Sequence, residues 1–170
     1  MKKNVSNLMR LLSLTIVLAL IMPAISNAQG KANFAGSWAV NAAKSTPAPT
    51  GGGGGQRMGG GDFVATQAAN LLTSTRTRTG QDGTPTTTIL NYTLDEKVSV
   101  NTNPRGDSKS VATWSADGKT LTIVTTSTFN DTERKSSEAW TLTDAKTLSI
   151  TSTRQGQDGE VKTTRVYDKK

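Results

Sequence analysis

The residues best suited to chemistry lie close to the end of the chain, in Arg165-Val166-Tyr167. Residues two apart on a strand share a face, about 7 Å from one another, so Arg165 and Tyr167 point the same way. A guanidinium presents a planar fork of donors to a carboxylate, and a phenol adds a third. Pairing the last segment around an Asp158-Gly159 turn sets Ser152 opposite Arg165 and Ile150 opposite Tyr167, with Arg154 diagonally above. Arg165, Tyr167, Arg154 and Ser152 are therefore the candidate ligand-binding residues.

Other chemistry is removed by composition. The chain contains neither His nor Cys, which excludes Ser-His-Asp and Cys-His nucleophile systems, ordinary zinc sites and disulfides. Most of the 13 acidic residues fall in turns, where an aspartate hydrogen-bonds its own backbone. Glu138 stands in mid-strand instead, with a cross-strand Lys or Arg as its expected partner. Acid–base catalysis by carboxylates needs two that converge, and only Glu138 qualifies. No catalytic residue, metal ligand or cofactor is expected, so the chain reads as a binding protein and not as an enzyme.

Six basic residues, Arg76, Arg78, Arg105, Arg134, Lys135 and the Arg154 already named, either draw in an anionic ligand or keep strand edges soluble. They have no aromatics interleaved among them, as single-stranded nucleic acid would require. A membrane barrel needs an apolar outer band framed by aromatics, and these segments carry Thr and Ser.

The elements that must position these residues begin after a leader. Lys2, Lys3 and Arg10 precede an apolar run from Leu11 to Ile25, and Ser26-Asn27-Ala28 has the small residues of a cleavage site. Residues 1–28 are read as a signal peptide, which places the protein in the periplasm or the medium with no membrane span after cleavage. Loss of those three basic residues takes the net charge from +7 to +4. Residues 29–168 suit one domain. Within it, residues 42–62 hold Pro47, Pro49 and GGGGGQRMGGGD; without Gly-Lys-Ser/Thr or GxGxxG this is a flexible loop and not a phosphate cradle.

Phe34 to Val40 reads as a first strand with Phe34, Gly36, Trp38 and Val40 on one face. From Phe63 onward, turn signals recur every 10 to 14 residues, several of them Asp-Gly, between segments rich in Thr, Val, Ile, Tyr and Trp. VATQAANLL is the one stretch that also fits a short helix. The pattern predicts an all-β antiparallel up-and-down meander, closed into a barrel of 8–10 strands. If the strands alternate in direction, their apolar residues gather at one end, Val98 and Val100 included. The barrel then has an apolar floor and a Thr-rich, basic mouth.

At Gly36-Ser37-Trp38 and Arg165-Val166-Tyr167 the chain resembles the calycins, the group of lipocalins and fatty-acid-binding proteins. FAGSWAVN is similar to their first strand with its Gly-x-Trp, and TTRVYDKK to the closing strand of fatty-acid-binding proteins. GSWAVNAAKS also matches the GxW.xN..KS start of small exported bacterial proteins with lipocalin-like barrels. The Gly-rich segment stands where fatty-acid-binding proteins insert a two-helix lid. The resemblance implies a lipocalin-like barrel with an internal site for small hydrophobic or amphipathic molecules. It assigns barrel closure to Gly36 and Trp38, and the hold on a ligand carboxylate to Arg165 and Tyr167. It also implies a structural role, in which a basic residue of the last strand, Arg165, packs across Trp38 as a cation–π contact. Two functions follow: non-catalytic binding of a small amphipathic or anionic molecule, or an envelope or secreted interaction module whose barrel is filled.

Overall fold

The computed structural model describes residues 30–47, 60–80, 82–103, 106–129, 131–156 and 159–170. The signal-peptide reading and most of the Gly-rich loop lie outside these residues. Ten strands form a single antiparallel sheet: β1 (Gly36–Asn41), β2 (Phe63–Ala68), β3 (Leu71–Thr79), β4 (Pro85–Thr93), β5 (Val98–Asn103), β6 (Gly106–Trp114), β7 (Thr120–Phe129), β8 (Thr132–Asp144), β9 (Thr147–Gly156) and β10 (Gly159–Lys169). The order around the sheet is β4-β3-β2-β1-β10-β9-β8-β7-β6-β5, so β1 pairs with β10 and the meander wraps into a nearly closed barrel.

Turn chemistry punctuates the strands as the sequence predicts. Asp82 accepts from Thr84 N (3.0 Å), Asp117 from Lys119 N (3.1 Å) and Asp144 from Lys146 N (2.7 Å), each a local aspartate turn. Gly83 and Gly118 supply the left-handed residues, with φ of 80° and 69°. VATQAANLL is not helical: it forms β2, a turn at Ala69-Asn70 and the start of β3.

The core lies at one end. Phe34, Trp38, Phe63, Leu72, Leu121, Ile123, Trp140, Leu148, Ile150 and Tyr167 are all buried there. Phe34 precedes β1 and folds beneath the barrel instead of beginning the strand. Its ring stacks on Trp114 (5.7 Å, 5°) and meets Trp140 edge-on (5.7 Å, 75°). Gln67 fastens this segment, accepting from Phe34 N (2.9 Å) and donating to Ala32 O (3.0 Å). The apolar floor is therefore real, but it is aromatic and includes a plug from outside the sheet.

β5 departs from the expected pattern. Val98 and Val100 point outward, 58% and 57% exposed, while Ser99 and Asn101 are buried. The reason is the seam between β4 and β5, where side chains replace the backbone ladder. Asn101 accepts from Asn91 N (2.7 Å) and donates to Asn91 O (3.0 Å), so its amide imitates a peptide unit. Ser99 Oγ accepts from Thr93 N (2.8 Å) in the same way. Unpaired edge groups must be satisfied, and here that demand outweighs burial of two valines.

The expected loop over residues 42–62 is structured where it is described. Ala42–Lys44 make one 3-10 turn capped by Asn41, and Thr46 N donates to Thr164 O (2.8 Å), tying the segment to β10.

Candidate functional site

Strand parity directs a set of polar side chains inward above the aromatic floor. On β3 the inward residues are Leu72, Ser74 and Arg76; on β8, Trp140 and Glu138; on β9, Ile150, Ser152 and Arg154; on β10, Tyr167 and Arg165. Tyr167 is buried and meets Phe63 edge-on (5.0 Å, 88°), and Phe63 in turn meets Trp140 (5.5 Å, 69°). Tyr167 thus stands on the floor with Arg165 one step nearer the mouth, as the shared face requires.

The neighbours assigned to Arg165 from sequence need correcting. β9 and β10 pair Gly156 with Gly159, so the ladder is not centred on Asp158-Gly159. Gly159 has a φ of 115°, and a Cβ on Gly156 would lie 2.9 Å from Val161 Cγ2. Both glycines flank the reversal because both need the missing side chain. The register moves by two residues: Arg165 faces Ile150, Tyr167 faces Leu148, and Ser152 faces Thr163. Arg154 faces Val161, is exposed, and stands about 13 Å along the sheet from the level of Arg165. Arg165 and Tyr167 are brought together, Ser152 lies one step above them, and Arg154 belongs to the mouth.

The cation across Trp38 is Lys169 and not Arg165. Lys169 Nζ lies 5.5 Å from the Trp38 ring, and Trp38 Nε1 donates to Phe34 O (2.9 Å). The approach needs Gly36: a Cβ there would come within 2.5 Å of Lys169 Cε, at a φ of 149°. Gly36 and Trp38 thus meet Lys169 where β1 pairs with β10. Arg165 is released from that duty. Its guanidinium lies against Gly60, where an added Cβ would sit 3.1 Å from Cζ and Nη1.

Two residues acquire importance that the sequence reading did not give them. Arg76 reaches over Phe63, with Cζ 4.4 Å from the ring centroid, bringing a second inward arginine to the aromatic layer. The alternation Leu72, Ser74, Arg76 carried the signal, because it places Arg76 on the buried face. Glu138 has no Lys or Arg opposite; its cross-strand neighbours are Ile123 and Ser152, and its carboxylate accepts from Trp140 Nε1 (3.0 Å). Tyr92 is buried beside them. Its phenol is pushed up by burial and, secondarily, by Glu138, with Arg76 opposing.

The described site thus combines an aromatic base, two arginines, one carboxylate and several hydroxyls inside a ten-stranded barrel. The zebrafish ileal bile acid-binding protein, solved in complex with cholic acid, has the same architecture: TM-score 0.56, 18% identity, 81% of this chain and 98% of that one. The two barrels share a fold. A variant of the fluorescent protein UnaG is a second structural match, with TM-score 0.52, 16% identity, and coverage of 81% of this chain and 96% of its own. No family model and no curated protein matches the sequence. At these identities the likeness concerns the fold.

Proposed function

We propose that this protein is exported and binds a small amphipathic or anionic molecule inside its barrel without catalysis. The observation that carries the reading is Arg76 over the buried Phe63–Tyr167 pair, with Arg165 on the same face of β10 as Tyr167 and its guanidinium against Gly60. Two guanidiniums above an apolar floor suit a molecule with an anionic head and an apolar body. The ligand complex of the bile acid-binding neighbour agrees with that class. Export rests on the leader-like residues 1–28.

The filled-barrel alternative has one observation in its favour, the dense aromatic packing of Phe34, Trp38, Phe63, Trp140 and Tyr167, all at most 3% exposed. One experiment separates the two. An anionic alkyl probe such as dodecanoate is titrated into the protein and into Arg165→Ala, with binding followed by tryptophan fluorescence. Lys169, not Arg165, packs on Trp38, so removal of Arg165 is expected to leave the fold intact. The variant is expected to bind about 10- to 100-fold more weakly, the scale of one charge-assisted contact. No binding by the wild type favours the filled barrel. Unfolding of the variant assigns Arg165 a structural role.

A further inference from the structure

The arginines are only half of the polar interior. We infer that the molecule held in this barrel is an amphipathic acid that also carries a hydrogen-bond donor, a hydroxyl or ammonium group, whose acceptor is Glu138. The inference rests on the binding reading above and deepens it.

Glu138 shares the inner face of β8 with Trp140, which is 1% exposed. A carboxylate has two oxygens with about four lone-pair sites. One oxygen accepts from Trp140 Nε1, and among the described residues Glu138 forms no ion pair. Ser74 adds a second demand: it is 2% exposed and its Oγ has no partner among the described residues. Ser110 and Thr125 contribute a further inward hydroxyl pair at 2.9 Å.

An all-hydrocarbon body laid over the inner face of β8 would strip water from Glu138 and return no hydrogen bond. Desolvating a carboxylate without compensation is strongly unfavourable. A donor on the ligand removes that cost. Glu138 also repels a carboxylate head, and so directs it to Arg76 and Arg165. Two strands and one same-face step separate Glu138 from Arg165, on the order of 12 Å between Cα atoms. The donor therefore lies several carbons from the acid group.

The test uses dodecanoate and a series of dodecanoates bearing one hydroxyl or one amine along the chain. Trp140, bonded to Glu138, serves as the fluorescent reporter. At least one substituted probe is expected to bind wild type about ten-fold or more tighter than dodecanoate. Glu138→Leu should abolish that preference while binding dodecanoate at least as well. Glu138→Gln, which keeps a carbonyl acceptor but loses the charge, should retain the preference for the hydroxylated probe and lose it for the aminated one. That variant decides the matter if Glu138→Leu does not fold. Dodecanoate binding with no substituted probe above it, or an unchanged preference in both variants, overturns this inference and leaves the binding reading standing. Binding of no probe at all overturns both.

Discussion

At the residue scale, division of labour between two basic side chains on β10 decides which of them is available for a ligand. Sequence reasoning put a single arginine in competition for two roles, the grip on Trp38 and the grip on an anion. The fold gives the first to Lys169 and leaves Arg165 inside the barrel against Gly60. Lys169→Ala should therefore lower stability by about 0.5–1 kcal/mol, the worth of an exposed cation–π contact, and leave dodecanoate affinity unchanged. Arg165→Ala should show the reverse pattern. Urea unfolding and probe titration of both variants check the assignment, and loss of affinity in Lys169→Ala would contradict it. The pairing could not be read from sequence because it depends on the β1–β10 register, which sets Trp38 opposite Lys169. Both residues were visible; their adjacency was not.

At the element scale, the barrel is closed by side chains at one seam. Asn101 supplies both a donor and an acceptor to Asn91, and Ser99 supplies an acceptor to Thr93. Replacing Asn101 with Ala leaves two backbone groups of β4 without these partners, at a cost of about 1–3 kcal/mol. Hydrogen exchange at the Asn91 amide should accelerate in Asn101→Ala, while amides between β8 and β9 slow or quicken only with global stability. Equal acceleration in both places would mean that the seam has no local role. The strands and most of their turns were legible because Asp-Gly pairs and alternation are local signals. The phase of β5 was not. Val98 and Val100 carry the stronger local hydrophobic signal, yet Asn101 and Ser99 turn inward to complete hydrogen bonds with a strand that is distant in the sheet order.

At the scale of the whole molecule, charge and titration set how the barrel responds to pH. The sequence has no His, so no side chain with an ordinary pKa between 5 and 8 exists. Asp95 is lowered to about 2, chiefly by the Lys97 ammonium bonded to it (2.7 Å). Asp62, Asp82, Asp117, Asp144 and Asp168 are lowered too, by hydrogen bonds from Lys170, Thr84, Ser115, Lys146 and Asn41 respectively. A carboxylate with a depressed folded pKa stabilises above its unfolded value, near 3.9, and that stabilisation disappears as pH falls through the folded value. Tyr92 acts at the other extreme. Its raised pKa favours the neutral phenol in the fold, so stability falls once the unfolded tyrosine ionises above about pH 10. The urea midpoint should therefore stay nearly flat from about pH 5 to pH 9, decline below about pH 4, and decline again above about pH 10. Tyr92→Phe should blunt the alkaline decline and leave the acid one. A sloping midpoint across neutral pH would show a titrating group outside this set.

The sequence by itself determined the class of the fold, the absence of histidine and cysteine chemistry, and the shared face of Arg165 and Tyr167. Each of these follows from composition, from a period of two along a strand, or from turn residues whose backbone needs are local. Tertiary structure decided which groups meet. It moved the final hairpin by two residues because Gly156 and Gly159 both flank the reversal, so that Ser152 and Arg154 separated from Arg165. It folded Phe34 beneath the sheet, carried Arg76 over Phe63, and left Glu138 facing the interior with Trp140 as its donor. The Phe34–Trp114 stack joins segments about eighty residues apart and arises only when the sheet curls on itself, whereas the Arg76–Phe63 and Glu138–Trp140 contacts lie within neighbouring or single strands and depend on rotamer and register.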